Sequence, residues 1–237
     1  ALSDCAANTP EKPMAIGFAI HKAKRKVSPD LVTRYRTLPV ANISDVMSRI
    51  AGTNRLRPMH AGGWLGGPAL TVKTRPGDNL MVHKAIDLAQ PGDVIVVDAG
   101  GVLVNAIIGE IMSTLAEKKG VAGFVIDGSI RDAGAIRAGS FPVFAAGVAH
   151  RGPYKDGPGE INCAVAIDGM IVEPGDLIVA DDDGVLCVPH DDAEAICKLT
   201  EAKKATEEKA IQQILAGTSD RRWVDEALQR LGCEFKD

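Results

Sequence analysis

Short apolar runs alternate with segments of helical periodicity through most of this 237-residue chain. Apolar runs bounded by Gly, Pro or Asp predict buried strands at 69–73, 94–98, 123–126, 143–146, 164–167, 177–180 and 185–188. Apolar residues three or four positions apart predict helices at 29–36, 42–50, 80–89, 105–119 and 132–138. This order is typical of a mixed α/β fold, with more strand pairing towards the C-terminal half.

One eight-residue pattern occurs twice. Pro91-Gly92-Asp93 precedes the strand at 94–98, and Pro174-Gly175-Asp176 precedes the strand at 177–180. Pro followed by Gly suits the central positions of a type II turn, and an Asp side chain can accept a hydrogen bond from nearby backbone. We expect each copy to start a buried strand from a tight corner, which is a structural role.

The two ends of the chain differ from the segment between them, which we take as a core spanning residues 41–190. Residues 1–40 contain four prolines and little periodicity, so they predict an N-terminal extension with one short helix. Residues 191–237 predict a long charged helix that ends at Gly217, followed by a short helix around 223–231. Such a helix cannot cover its own apolar positions, so we expect this tail to pack on a neighbouring subunit.

Composition excludes several classes of partner. The formal net charge is −4 and aromatic residues make up 4% of the chain, which argues against nucleic acid as a ligand. The longest apolar run near the N-terminus, at 14–20, is too short for a membrane span or a signal peptide. Five cysteines without a CxxC pair are typical of reduced thiols. We therefore expect a cytoplasmic protein with no membrane or nucleic-acid partner.

Familiar catalytic motifs are missing from the sequence. It contains no GxGxxG loop, no P-loop, no HExxH pair and no GxSxG elbow. Dinucleotide, nucleoside triphosphate, zinc-hydrolase and serine-hydrolase chemistry are therefore not indicated.

Two segments carry candidate chemistry. The first runs from Ala99-Gly100-Gly101 into the predicted helix at 105–119, whose free N–H groups would attract an anion. The second, Asp127-Gly128-Ser129-Ile130-Arg131-Asp132, follows the strand at 123–126 and places a cation beside a carboxylate. Oxygen ligands suit Mg²⁺ or Mn²⁺, which need only one or two carboxylates plus water, so Asp132 with a nearby Glu110 would suffice.

Plainer interpretations of the second segment stay open at this point. Asp132 would also suit the cap of the helix at 132–138, Arg131 an ordinary surface charge, and Asp127-Gly128 a simple turn.

The same residues resemble a known signature. Gly109-Glu110-Ile111-Met112 and the run G-F-V-I-D-G-S-I-R-D at 123–132 are similar to the regulator-of-ribonuclease-activity-A-like (RraA-like) family. That family includes the class II 4-hydroxy-4-methyl-2-oxoglutarate/4-carboxy-4-hydroxy-2-oxoadipate aldolases. The similarity extends from about residue 68 to 189. It implies a layered β/β/α sandwich of the swivelling-domain type with helical extensions, assembled as homotrimers or homohexamers.

The resemblance also implies roles for individual residues. Asp132 corresponds to the direct metal ligand, for Mg²⁺ or Mn²⁺, and Arg131 to the residue that binds the keto oxygen. The backbone of Gly109, Glu110, Ile111 and Met112 corresponds to the pocket for the pyruvate carboxylate, and Glu110 to the residue that orients metal-bound water.

Two further positions follow from the same resemblance. Lys155 falls where the aldolases have an active-site lysine, although here it follows Gly-Pro-Tyr instead of the usual Gly-Thr-x. In the C-terminal tail, Glu207 aligns with a glutamate that enters a neighbour's site, and Glu208 is a close competitor.

Three functions compete on this basis. The first is a metal-dependent lyase that releases pyruvate from a 4-hydroxy-2-oxo diacid such as 4-hydroxy-4-methyl-2-oxoglutarate. The second is a decarboxylase of oxaloacetate or another 2-oxo acid, because the same enolate chemistry serves both reactions. The third is a non-catalytic interaction protein of the ribonuclease-regulator type. The long C-terminus and Lys155 favour catalysis.

Overall fold

A computed structural model describes residues 16–234 and 236 of the chain. The strands in this part are β1 (Phe18–Ile20), β2 (Arg57–Pro58), β3 (Leu65–Thr74), β4 (Val94–Asp98), β5 (Ala106–Ile108), β6 (Gly123–Ile130), β7 (Val143–Val148), β8 (Gly159–Ile161), β9 (Val165–Ile167), β10 (Met170–Val172), β11 (Leu177–Asp181) and β12 (Gly184–Val188). The helices are α1 (Pro29–Tyr35), α2 (Val40–Val46), α3 (Leu80–Leu88), α4 (Glu110–Lys118), α5 (Ala133–Ala138), α6 (Ala193–Leu215) and α7 (Arg222–Arg230).

The centre of the fold is a mixed sheet in the order β1-β8-β3-β4-β6-β7-β2. Strands β3, β4, β6 and β7 are parallel neighbours, so their carboxyl ends lie at one edge of the sheet. The hairpin β11–β12 joins this sheet through an antiparallel pairing of β11 with the first half of β3. Strand β5 pairs with the end of β6, and β9 with β10 forms a separate ribbon.

Residue alternation along the strands divides the core into layers. In β4, Ile95 and Val97 face the layer formed by α3, α4 and α5, whereas Val94 and Val96 face β9–β12. The other side of β11 and β12 packs on α1, α2 and the start of α6. Because successive side chains of a strand point to opposite faces, a strand between two layers must be apolar throughout. The predicted layered α/β sandwich is confirmed.

The predicted helix at 105–119 is wrong in its first third. Residues 106–108 form β5, and the helix begins only at Glu110. Ala106 and Ile108 pair with the end of β6, and all three residues of β5 are buried. Tertiary pairing and burial therefore override the helical pattern of this short apolar segment.

Strand β6 is longer than the sequence predicts. It continues through Asp127 and Gly128 to Ile130, so the interpretation of Asp127-Gly128 as a turn is wrong. Gly128 lies within a fully buried strand, at a shift in the register between β6 and β7, and its missing side chain leaves space for Ala99, whose Cβ would lie 3.1 Å from an added Cβ. The strand consequently delivers Arg131 and Asp132 directly to its carboxyl end.

The repeated Pro-Gly-Asp corners have the predicted structural role. Gly92 and Gly175 have φ values of 88° and 87°, in the left-handed region that favours glycine. The Asp93 carboxylate accepts a hydrogen bond from Gln90 N at 2.9 Å, and Asp176 accepts the equivalent bond from the backbone N–H of residue 173. Each corner leads directly into a buried strand.

The C-terminal tail is only partly covered by its own chain. At the start of α6, Ala193, Cys197 and Thr200 are buried against α1 and α2. From residue 208 onwards the helix is exposed, and α7 has no buried residue. The packing of this outer part on a neighbouring subunit stays a prediction. Within the described residues, no helix is long and apolar enough to cross a membrane.

Candidate active site

A cavity of about 200 Å³ opens where β5 and β6 end and where α3 and α4 begin. It gathers residues from four separate parts of the chain: Asn79, His83, Ile107, Ile108, Gly109, Ile111, Met112, Arg131, Asp132, Pro153 and Lys155. Most of the residues that the sequence singles out therefore lie at one place. This edge holds the carboxyl ends of the parallel strands, where open α/β sheets bind ligands.

The segment at Gly109 packs closely against Arg131 and Asp132. Arg131 N donates to the Ile108 carbonyl at 2.9 Å, and Asp132 Oδ2 accepts a hydrogen bond from Glu110 N at 3.1 Å. A Cβ at Gly109 would lie 2.3 Å from Asp132 Oδ2, so only glycine permits this approach. Asp132 itself has a φ of 55° and makes no side-chain capping bond to α5. The cap interpretation of Asp132 is therefore wrong, because its carboxylate faces the start of α4.

The start of α4 offers backbone donors to the cavity. Gly109, Ile111 and Met112 line the wall, and the first N–H groups of a helix have no acceptor within the helix. These groups and the helix dipole favour a negative charge at this position. The arrangement suits a carboxylate held by the backbone at the start of α4, beside the guanidinium of Arg131, although the Glu110 N–H is already taken by Asp132.

The backbone and the side chain of Glu110 lie in different places. Its N–H binds Asp132, whereas its side chain lines the neighbouring cleft between α4 and α5, together with Ser113 and Thr114. Glu110 is exposed.

Lys155 reaches the cavity on a loop that a buried carboxylate holds in place. Asp78 Oδ2 accepts hydrogen bonds from Asp156 N at 2.7 Å and Gly157 N at 3.0 Å, and its Oδ1 accepts one from Leu80 N. Asp78 is fully buried. This one side chain therefore joins the Lys155 loop to the first turn of α3.

Asn79 is a site residue that the sequence reasoning missed. It lies at the start of α3, where an Asn is normally taken as a capping residue, but it makes no capping bond. Its Nδ2 donates to Ile107 O at 2.8 Å and contacts Met112 Sδ at 3.2 Å, which fixes the orientation of the amide. Asn79 is 2% exposed, and within the described chain its Oδ1 receives no hydrogen bond. A residue that lines the cavity thus carries a buried acceptor that lacks a donor.

His83 lies one helical turn after Asn79 and lines the same cavity. The pKa of His83 is lowered from its ordinary value, first because burial desolvates the ring and second because the Lys155 ammonium disfavours another positive charge. Both causes favour the neutral form of the ring, and the second reflects the closeness of Lys155, which lines the same cavity.

Removing the charge of Lys155 should raise the pKa of His83. We expect the substitution Lys155→Met to shift this pKa part of the way towards its ordinary value, because the desolvation by burial remains. An NMR titration of the histidine ring protons measures the shift. Lys84→Met is the matched control, since Lys84 follows His83 in sequence but is not among the groups that perturb it. Equal shifts in the two variants would contradict the proximity of Lys155 and His83.

Glu207 does not lie at the cavity of its own chain. It is on α6, where its carboxylate accepts a hydrogen bond from Asn42 Nδ2 at 2.7 Å and pairs with Lys203 Nζ at 2.9 Å. These bonds lower the pKa of Glu207, with Lys203 the larger cause. A role for Glu207 or Glu208 in a neighbouring site stays a prediction.

The donor set at the cavity fits a hydrated divalent cation better than a closed metal site. Within residues 16–234 and 236, no group of three or more His, Cys, Asp or Glu side chains could hold a metal. Asp132 is 41% exposed at its side chain and also lines a second cleft of about 320 Å³ with His150. One accessible carboxylate, with Glu110 nearby, is a donor set that suits Mg²⁺ or Mn²⁺ retaining most of its water.

Comparisons with known proteins agree with this architecture. A protein from Halalkalibacterium halodurans named "Putative 4-hydroxy-4-methyl-2-oxoglutarate aldolase" is 41% identical over 180 residues, covering 76% of this chain and 86% of that protein. The crystal structure of Streptomyces coelicolor RraAS2, described as an unusual member of the RNase ES inhibitor RraA protein family, has a TM-score of 0.71 at 28% identity and covers 78% of this chain and 96% of its own.

An uncharacterized protein from Pseudomonas syringae pv. tomato has a similar fold, with a TM-score of 0.74 at 26% identity over 82% of this chain and 96% of its own. A protein-family model described as RraA-like, Aldolase/RraA, matches residues 40–187. That match spans more than half of the chain and contains both segments that carry the candidate chemistry. This chain therefore belongs to the RraA-like family.

Proposed function

We propose that this protein is a divalent-metal-dependent class II aldolase that cleaves a 4-hydroxy-2-oxo diacid, such as 4-hydroxy-4-methyl-2-oxoglutarate, and releases pyruvate. Family membership and the aldolase name of the 41% identical relative support aldolase chemistry. The substrate class is argued from the cavity itself.

The choice of substrate is argued from Asn79 Oδ1, which has no hydrogen-bond donor among the described residues. A buried acceptor without a donor costs roughly 1–3 kcal/mol, which a ligand recovers by supplying an N–H or O–H group. A 4-hydroxy-2-oxo diacid has one hydroxyl donor at C4 and two carboxylates. Oxaloacetate has the carboxylates and the keto group but no hydroxyl. Arg131 and Lys155 supply cations for the carboxylates and the keto oxygen, and only the hydroxylated acid also supplies the donor that Asn79 lacks.

Cleavage is a retro-aldol step. The C4 hydroxyl loses its proton, the C3–C4 bond breaks, and its electron pair forms the enolate of pyruvate while C4 becomes a carbonyl. Arg131 donates to the oxygen where the negative charge develops, and the backbone donors of residues 109–112, apart from the Glu110 N–H that binds Asp132, hold the C1 carboxylate. A cation held by Asp132, with Glu110 beside it, would polarise the 2-oxo acid as a Lewis acid. Protonation of the enolate at C3 completes pyruvate.

The proton acceptor for the C4 hydroxyl is assigned to a water molecule, and the Glu110 carboxylate, which lines the neighbouring cleft, would have to turn towards the cavity to orient it. The rival role for a lysine, formation of a Schiff base, requires a desolvated amine. Lys155 is exposed and its loop is polar, which favours a binding role for its ammonium at the distal carboxylate.

A homotrimer or homohexamer is part of this proposal. The outer part of the tail has exposed apolar side chains, including Ile211, Ile214, Leu215, Trp223 and Leu231. These residues lie on an otherwise charged tail, and a second copy of the chain would cover them. In that assembly, Glu207 or Glu208 would approach the cavity of a neighbour.

The proposal is tested by measuring pyruvate release from 4-hydroxy-4-methyl-2-oxoglutarate and from oxaloacetate, each with Mg²⁺ and with EDTA. Metal-dependent release from the hydroxylated acid, with a higher kcat/KM than for oxaloacetate, is the expected result. Turnover of oxaloacetate alone would instead favour the decarboxylase. Turnover of neither by metal-loaded protein would contradict this substrate assignment and leave either a different 2-oxo acid or the non-catalytic regulator.

Asn79→Ala should discriminate between the two substrates. We expect kcat/KM for 4-hydroxy-4-methyl-2-oxoglutarate to fall about 10- to 100-fold, the equivalent of one lost hydrogen bond to a buried group. The value for oxaloacetate should change far less, and this reaction is the internal control for a merely structural effect. A parallel fall for both substrates would contradict the assignment of the hydroxyl to Asn79.

A further inference from the structure

The N-terminal arm, defined as residues 16–28, lies outside the segment that the family model matches, yet it is built into the sheet. Its strand β1 pairs in parallel with β8, with Phe18 opposite Gly159 and Ile20 opposite Ile161. His21 N continues this pairing by donating to Ile161 O at 2.9 Å. The arm thus covers the strand that follows the Lys155 loop.

The far end of the arm is fixed by ion pairs to the two Pro-Gly-Asp corners. Lys26 Nζ contacts Asp93 Oδ1 at 2.7 Å, and Arg25 lies 3.6 Å from Asp176 Oδ1. Both carboxylates are buried. Val27 N also donates to Gly175 O at 3.3 Å. Because the arm is held at both ends, its middle has a defined position against the sheet.

Phe18 is the arm residue that lies behind the candidate active site. An added Cβ at Gly157 would lie 3.3 Å from the Phe18 ring, so the ring covers this glycine. Phe18 also shares an apolar groove with Leu80 and Met81, in the first turn of α3. Gly157 and Leu80 are two of the residues whose N–H groups bind Asp78.

These contacts converge on the two segments that carry Lys155 and Asn79. Gly157 is two residues after Lys155, and Leu80 directly follows Asn79. Apolar contact from Phe18 restricts the backbone at Gly157 and at the first turn of α3, and both of these backbones donate hydrogen bonds to Asp78. Phe18 is not among the residues that line the cavity, so its action on the substrate is indirect.

We infer that Phe18 is a positioning residue, through which the N-terminal arm holds the Lys155 loop and the start of α3 in the geometry that binds the distal half of the substrate. The expected effect on kinetics rests on the proposed function. The expected effect on the structure of the loop rests on geometry alone. Phe18 is 45% exposed, so it is not part of the core, and its replacement should leave the fold intact.

The test compares Phe18→Ala with Phe18→Leu and with Ile20→Ala in the full chain. Ile20 is the matched control on the same strand: it is 50% exposed and lines the same groove, but the ring nearest to Gly157 is that of Phe18. Hydrogen exchange at the Asp156 and Gly157 amides should accelerate about tenfold in Phe18→Ala, return towards wild type in Phe18→Leu, and stay unchanged in Ile20→Ala. Unchanged exchange in Phe18→Ala would overturn the inference, whatever the enzyme's activity.

Kinetics with 4-hydroxy-4-methyl-2-oxoglutarate provide the second readout. We expect KM to rise about 3- to 10-fold in Phe18→Ala with kcat nearly constant, because a misplaced Lys155 weakens the ground state and the transition state alike. A fall in kcat at constant KM, or an equal effect of Ile20→Ala, would overturn the positioning role. If the wild-type protein released no pyruvate, the proposed function would fail while hydrogen exchange still decided the role of Phe18.

Discussion

Replacing Arg131 by Met should lower kcat for pyruvate release about 10²–10³-fold, the usual effect of losing one donor to a developing oxyanion. Arg131 lines the cavity, and its backbone N–H is fixed to Ile108 O, so the side chain starts from a defined position. Its side chain is 43% exposed and its nearest carboxylate, Asp132, is 3.6 Å away. The free energy of unfolding should therefore change by only about 0.5 kcal/mol.

Steady-state kinetics and urea denaturation of the same preparation check both parts of this expectation. Arg137→Met is the matched control, because Arg137 is an exposed arginine six residues further on, in α5, and lines neither the cavity nor the adjacent cleft. Its variant should keep wild-type kcat. A similar loss in both variants would mean that net charge matters and that Arg131 has no specific role.

In contrast to Arg131→Met, Asp127→Asn should lower the free energy of unfolding by roughly 2–3 kcal/mol and change kcat little. The Asp127 carboxylate is buried, forms an ion pair with Arg55, and accepts a hydrogen bond from Asp168 N at 3.3 Å. Asn keeps the volume but loses the charge that Arg55 requires. Asp127 does not line the cavity, so its role is to fix the segment around residue 55 against β6.

Urea denaturation and pyruvate release distinguish Asp127 from Asp132, its counterpart in the same sequence run. Asp132→Asn should leave the free energy of unfolding within about 0.5 kcal/mol, because its carboxylate is accessible, and should abolish metal-dependent turnover. Asp127→Asn should therefore lose stability and keep its activity, whereas Asp132→Asn should keep its stability and lose its activity. Inactivity of Asp127→Asn under conditions where it is fully folded would contradict its structural role.

Much of the fold could be predicted from local pattern. Strands β4, β11 and β12 begin within one residue of their predicted starts, because buried strands flanked by Gly and Asp have a clear signal. The short pieces β1, β5 and β8 could not be found, since three-residue strands carry no period and exist only through pairing with β6, β3 or each other. Helix α4 was predicted with its correct end, but its start depends on the pairing of β5.

The candidate site divides in the same way. Gly109, Arg131, Asp132 and Lys155 stand in a recognisable sequence pattern and lie together at the cavity. Asn79 carries no such signal, because an Asn before a helix is ordinarily a cap, and only the position of Ile107 O turns its side chain inwards. Its missing partner becomes apparent only once burial around it is known.

The sequence by itself determined the mixed α/β class, the Pro-Gly-Asp corners and the two segments, 109–112 and 127–132, that meet at the candidate site, because each depends on neighbours a few positions apart. Tertiary structure alone decided that Asp127 is structural while Asp132 faces the cavity, that Asn79 presents an unpartnered acceptor, and that Phe18 lies behind the Lys155 loop. Those facts arise from packing between segments tens of residues apart, and burial and hydrogen-bond geometry across such distances leave no trace in local pattern.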